Sequence, residues 1–332
     1  MNYSEKEIEE VLNKYKLTED EHKKYYEVIK RLWTADQYPV EKPIAVIIGG
    51  QTGAGKSGLI SYSQKMFPDN NVVIINSDEI KPFHPYGEEI AKKYPELYTK
   101  VTDQESNTWT SKLFEDVRNE KYNLIFEGTM KNNRIADEAI PILQGLGYTV
   151  VVRGLAVSGL ESRLSIHERY EGQVKHKGWG RLVVPEHHNQ TFNGMPNTIE
   201  YIEQNGRYDV LEIYTRGKTP DMPVLKYANH NKNTIEKTSQ VLKNKKFITK
   251  ESQKNNYMNA KDSILKVREE NEEKIIDDCK ERFAAIINSM NDRNASKSEK
   301  EQLLELLELY NNTNEKVKKK DNMNKIVDDK ER

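Results

Sequence analysis

An α/β fold with a central parallel sheet flanked by helices, followed by an α-helical C-terminal extension, is predicted by three observations. Short β-branched runs alternate with helix-length amphipathic segments from Pro43 to about Thr215, which is the signature of βαβ units. The first run leads directly into a glycine-rich G-x-x-x-x-G-K-S motif, the phosphate-cradling P-loop pattern. Beyond about Asn229 the β signal vanishes and Lys, Glu, Asp and Asn dominate. The chain therefore divides into amino-terminal helices over 1–40, a core over 41–228 and a charged helical extension over 229–332.

The amino-terminal part carries two helical stripes, Ile8, Val11, Leu12 and Tyr15, then Tyr25, Val28, Ile29 and Leu32. Between them Thr18-Glu19-Asp20-Glu21 has the spacing of a capping box, so a second helix starts there. Five strands are expected, at Ile44–Ile48, Val72–Asn76, Asn123–Phe126, Thr149–Gly154 and Val210–Tyr214. Several are apolar at consecutive positions, as strands buried on both faces of a parallel sheet must be. Gly58 to Met66 and Ser158 to Tyr170 read as helices. In the extension, sparse stripes such as Ile264, Val267, Ile275, Ile276, Phe283, Ile286 and Ile287, and a leucine-rich stretch from Glu301 to Tyr310, need a surface on which to bury.

Composition narrows the class of function. The 332 residues carry a formal net charge of −1, which leaves no global field for nucleic acid or an anionic membrane. With 36% hydrophobic and 32% charged residues, one compact core cannot run the whole length. The single cysteine, Cys279, excludes an internal disulfide framework and a cysteine zinc site and suits a reducing compartment. The amino end lacks the apolar run of a signal peptide, and no apolar stretch approaches the ~20 residues that span a bilayer. A cytoplasmic protein without nucleic-acid or membrane partners is expected.

Gly50, Gln51, Thr52, Gly53, Ala54, Gly55, Lys56 and Ser57 complete the P-loop motif between a strand and a helix. Glycines let the backbone bend around an anion and aim N–H groups at phosphate oxygens, and the following helix presents its positive end. Lys56 would hold the β- and γ-phosphates of a nucleoside triphosphate and Ser57 would ligate Mg²⁺. The second and third strands end in acids, Asp78 and Glu127. In an open parallel sheet these ends face the ligand crevice. Asp78 could take a proton from an attacking hydroxyl, or Ser77 and Asp78 could cap a helix. Glu127 could hold Mg²⁺ through water or orient a substrate hydroxyl, and Thr129 offers a hydrogen bond. Arg163 is expected to pair with a glutamate such as Glu161, Glu168 or Glu171, whereas Arg169 and Arg181 are even candidates for a phosphate and for a surface ion pair. His187 and His188 lack metal-ligand spacing and read as solvated or capping residues.

The succession GGQTGAGKSG, INSDEIKPFHP, NLIFEGT, HERYEGQ and GRLVVPEHH, in this order between about Lys42 and Lys218, resembles the zeta toxins of bacterial toxin–antitoxin systems. The resemblance implies a P-loop kinase fold and an ATP- and Mg²⁺-dependent kinase that phosphorylates the 3′-hydroxyl of the sugar of UDP-N-acetylglucosamine. Matched position by position, Lys56 and Ser57 serve ATP and Mg²⁺, Asp78 is the general base, and Glu127 and Thr129 lie on the substrate side. Arg169 and Arg181 match the two arginines at the transferring phosphate. The chain departs from the family at Thr52 and Ala54, where Pro and Ser or a similar pair are expected. The segment from Tyr86 to Phe114 has no aligned counterpart, so another nucleotide acceptor, NAD among them, is the alternative. A non-kinase ATP-driven switch working through the helical extension is the reading from a different class. An antitoxin is an expected partner, either a separate chain or, in cis, the terminal helices lying over the nucleotide cleft.

Overall fold

The computed structural model describes residues 3–231 and 259–328. Of the expected amino-terminal and extension segments, residues 1–2, 232–258 and 329–332 lie outside the described residues. Strand β1 (Ile44–Gly49) is the centre of one sheet. It pairs in parallel with β3 (Leu124–Glu127) on one side and β4 (Thr149–Leu155) on the other. Beyond these lie β2 (Val73–Ile75) and β5 (Val210–Thr215), also parallel. Every residue of β4 and of β5 is buried, because helices cover both faces of the sheet.

The sheet is parallel except at one edge. A sixth strand, β6 (Val224–His230), pairs antiparallel with β5, which corrects the expected five-stranded sheet and carries the core past residue 228. Lys226 and Asn229 lie in this strand and most of it is half-exposed. It therefore lacks the apolar run that marks the buried strands, as an edge strand can. At the other extreme, Arg153 of β4 is fully buried beside its register partner Glu212 of β5. Its guanidinium donates to Glu212 Oε2 at 2.8 Å and to Ser63 Oγ at 2.7 Å.

Helices α1 (Glu5–Lys14) and α2 (Glu19–Thr34) both open with capping boxes, Ser4 with Glu7 and Thr18 with Glu21. Helix α3 (Lys56–Gln64) follows the glycine loop, and the four-residue α4 (Ser77–Ile80) follows β2. The stretch that holds Tyr86 to Phe114 folds as α5 (Gly87–Lys93) and the long α6 (Tyr98–Asn119). Val11 of α1 and Tyr15 just after it bury against Ile90, Leu97 and Val101, so the amino-terminal helices pack on this region and not over the cleft. Helix α7 (Ile140–Gly145) precedes β4, and α8 (Gly159–Lys177) and α9 (Pro185–Gln204) fill the connection from β4 to β5.

The extension folds as α10 (Ala260–Asp292) and α11 (Lys297–Asp328). Leu160 and Leu164 of α8 pack with Ile275, Ile276, Cys279, Phe283 and Ile286 of α10 and with Leu303, Leu306 and Tyr310 of α11. Each fully buried side chain of this size contributes about 1.5–3 kcal/mol, so this cluster holds the extension on α8. Among the described residues no helix is long and apolar enough to cross a membrane.

Candidate active site

The glycine loop between β1 and α3 is bent where only glycine is comfortable. Gly53 and Gly55 have φ of 79° and 95°, left-handed values that L side chains resist. A Cβ on Gly53 would also stand 2.1 Å from the carbonyl oxygen of Ser162, so the loop is pressed against α8. Gly55 is the residue before α3 and makes no side-chain cap, which leaves the first N–H groups of the helix available to an anion. Lys56 folds back over the loop: its Nζ donates to the Gly50 carbonyl at 3.0 Å and lies 3.4 Å from Glu127 Oε1. On the outer side Arg216 donates to the carbonyls of Gly53 and Ala54, and also to Glu161 and Ser165.

Glu127 at the end of β3 and Asp78 in α4, just past the end of β2, line the same cleft as this loop. The cap of α4 is neither Ser77 nor Asp78: the Asn76 side chain accepts from the Asp78 N–H at 2.8 Å. That leaves the Asp78 carboxylate free for other partners, and its Oδ1 takes two cations, Arg181 Nη1 at 2.5 Å and Lys81 Nζ at 2.6 Å. Burial works against its charge, but Arg181 and Lys81 outweigh it and hold the carboxyl far below the usual carboxylate range. Lys81, almost wholly buried, also lies 2.6 Å from Asp103 of α6. Glu127 accepts from Asn76 Nδ2 at 2.6 Å. Burial pushes the Glu127 carboxyl above its ordinary value, with Lys56 opposing and the negative charge of Asp78 adding to the rise.

These groups line one cleft of about 510 Å³. Thr52, Gly53, Gly55, Lys56 and Ser57 form its floor, with Asp78, Glu127, Thr129, Arg169 and Arg181 around it. Gly50, Gln51 and Ala54 shape the loop but do not line the cleft, and Gln51 and Ala54 are fully buried. Arg169 has no ion pair to a described residue, and burial together with the neighbouring Arg181 charge pulls it below its ordinary value. Two guanidiniums lining one cleft with the glycine loop favour an anion there. Arg163 points elsewhere and pairs with Glu305 of α11, not with a glutamate of its own helix.

Sequence reasoning missed Lys81, Asp103, Asn107, Lys131, His187 and Arg216, all in the cleft wall. The expectation that His187 and His188 are solvated or capping is also corrected, since Val184 is the N-cap of α9 and no side chain caps it. His187 lines the cleft, whereas His188 is buried, lies 2.8 Å from Ser162 Oγ and stacks on Phe192. Burial pushes His188 down to about 4, so it is neutral at physiological pH. A magnesium ion fits the donor set: Ser57 and Glu127 offer hard oxygens beside the loop. Mg²⁺ needs only one or two such protein ligands when phosphates and water supply the rest. Among the described residues no cluster of three or more His, Cys, Asp or Glu forms a metal cage.

Residues 30–223 match the family model of the zeta toxins, well over half of the chain. The chain belongs to the zeta toxin family. A zeta toxin from Streptococcus agalactiae is 30% identical over 189 residues, covering 57% of this chain and 65% of the relative. Toxin PezT of Streptococcus pneumoniae serotype 4 is 28% identical over 180 residues, covering 54% of this chain and 71% of the relative. This chain thus spans just under two thirds of the length of the Streptococcus agalactiae zeta toxin. A chain in the solved structure of the PezAT chromosomal toxin–antitoxin system of Streptococcus pneumoniae superimposes with a TM-score of 0.63 at 21% identity, covering 82% of this chain and 98% of that one. The fold is therefore that of a zeta toxin. Of the two departures from the family pattern, Thr52 faces the cleft and Ala54 is packed beneath the loop.

Proposed function

We propose that this chain is an ATP-dependent kinase that transfers a phosphoryl group to a sugar hydroxyl of a UDP-amino-sugar, UDP-N-acetylglucosamine. The observation that carries the reading is that the glycine loop and the carboxylate of Asp78, at the start of α4, line one cleft together with two arginines. A switch would have to orient water; this cleft instead has room and polar groups for an acceptor beside Asp78, namely Asp103, Asn107 and Lys131. ATP would lie with its phosphates on the N–H groups of the loop and on Lys56. Ser57 would hold Mg²⁺ together with the phosphates, and the ion would supply charge neutralisation.

Asp78 accepts the proton of the attacking hydroxyl. With Arg181 and Lys81 both on Oδ1 it is a weak base, because each cation stabilises the unprotonated form. An incoming γ-phosphate competes for Arg181, and as that arginine turns to the phosphate the basicity of Asp78 rises. Deprotonation is thereby coupled to the presence of the donor nucleotide. Arg169 and Arg181 neutralise the charge that spreads over the equatorial oxygens in transfer. Glu127 and Thr129 orient the substrate side.

The partner follows from family membership: a separate antitoxin chain, as in the PezAT system, is proposed in trans. Neither set of terminal helices contributes a residue to the cleft wall among the described residues, which speaks against the cis arrangement. The deciding experiment is incubation with ATP, Mg²⁺ and a panel of UDP-sugars and dinucleotides, followed by mass spectrometry of the small molecules. A gain of one phosphate on UDP-N-acetylglucosamine is expected. Phosphate appearing on a dinucleotide instead, or only as free phosphate, would overturn the acceptor assignment.

A further inference from the structure

Helix α10 runs past the back of the phosphate loop. Its Arg268 is only 5% exposed. The guanidinium lies over the Phe192 ring, 3.9 Å from the centroid, and donates to the Phe192 carbonyl at 2.8 Å and to Gln51 Oε1 at 3.3 Å. Gln51 is a residue of the glycine loop and is fully buried. Its amide nitrogen donates to the Val157 carbonyl at 2.8 Å and to Ser162 Oγ at 3.3 Å. The amide thus uses its donor side on the β4–α8 turn and its acceptor side on α10.

One turn further along α10, Asn271 donates to Thr215 Oγ1 at 2.8 Å. Thr215 precedes Arg216, whose guanidinium holds the Gly53 and Ala54 carbonyls from the opposite side of the loop. A guanidinium is costly to bury and must be matched by directed hydrogen bonds to be tolerated. Packing over Phe192 needs only an apolar side chain; the link to Gln51 needs a donor. The charge survives this burial, which pulls the group down to about 10 against the opposing pull of Glu272.

We propose that Arg268 is a positioning residue of the nucleotide site: by fixing the Gln51 side chain it holds the glycine loop in the shape that receives phosphates. The helical extension is then a structural part of the site. The inference rests on the nucleotide-binding reading of the loop and is independent of which acceptor is used.

The test is calorimetric titration of the full chain with ATP and Mg²⁺, without acceptor, for Arg268→Met, Gln51→Leu and the double variant, with thermal melts alongside. Arg268→Met keeps the length over Phe192 and removes the donors. Either single change is expected to weaken ATP binding about five- to tenfold, the usual effect of stranding a buried hydrogen-bonding group. The double variant is expected to bind within twofold of the weaker single one, because both changes cut the same link. A folded Arg268→Met that binds ATP like the unaltered chain overturns the proposal, as does a double variant in which the two losses multiply. If Arg268→Met does not fold, Gln51→Leu alone decides, and undiminished affinity there is equally fatal. An unaltered chain that fails to bind ATP would instead remove the underlying reading of the loop.

Discussion

Asp78 carries two cations on one oxygen, and that single fact sets two expectations. Asp78→Asn removes the proposed proton acceptor and loosens its hold on Arg181, so transfer should fall by at least about a hundredfold while ATP affinity is kept or rises. Turnover that survives in the Asn variant would show that another group takes the proton. Arg181→Met removes one of the two cations that lower Asp78, so its carboxyl must rise. The acidic limb of the kcat/KM profile, where protonation of Asp78 silences it, should therefore move to higher pH, beside a loss of kcat from the missing guanidinium. A limb that stays in place would mean that Asp78 does not set it. The two acids were legible because they end apolar runs, and the topology of a parallel sheet carries strand ends to the crevice. Lys81 and Asp103 were not: Lys81 sits in a proline-marked stretch, and Asp103 lies on α6, where no motif singled it out. Their meeting at 2.6 Å is a tertiary event with no local signature.

At the scale of elements, the pair between β4 and β5 is the strongest test of how the sheet is held. Arg153 and Glu212 are both essentially excluded from solvent, and Tyr214 also donates to Glu212 at 3.0 Å. Arg153→Met should cost about 3–5 kcal/mol, because it leaves a buried carboxylate without its cation. Adding Glu212→Leu should recover most of that loss, since an apolar pair of similar volume avoids desolvating either charge. Chemical denaturation of the two variants measures both effects, and a double variant no more stable than the single one would contradict the argument. The five buried strands were readable from consecutive apolar residues, and the starts of α1 and α2 from their capping boxes. Strand β6 was hidden because, among the described residues, one of its long edges meets no other strand. Its composition then resembles the polar segments around it.

At the scale of the whole molecule, the extension reverses the expected sign of a truncation. Amphipathic stripes with no visible surface suggested a cover for the cleft, but Ile264 and Val267 bury in the main core and Ile275 to Ile286 bury on α8, whose next turns carry Ser165 and Arg169. Arg282 of α10 grips Glu168 at 2.6 Å, and Arg293 grips Glu171 at 2.6 Å. A chain ending at residue 258 should therefore melt at least about 10 °C lower, given the number of apolar side chains it would expose. It should also bind ATP more weakly rather than be released from inhibition. Thermal melts and nucleotide titration of the shortened chain check both; a shortened chain with undiminished stability and higher activity would restore the covering role. The destination of these stripes was beyond local reading, because periodicity tells which face is apolar and never which surface receives it.

Cys279 adds a practical corollary. It is the chain's sole sulfhydryl and is sealed inside the joint of α8, α10 and α11, where burial pushes its thiol up to about 11. Alkylating reagents attack the thiolate, so while the joint is shut the protein should resist them. Every modified molecule then records one detachment of the two last helices, and the rate of modification with and without bound nucleotide would time that event without any introduced label.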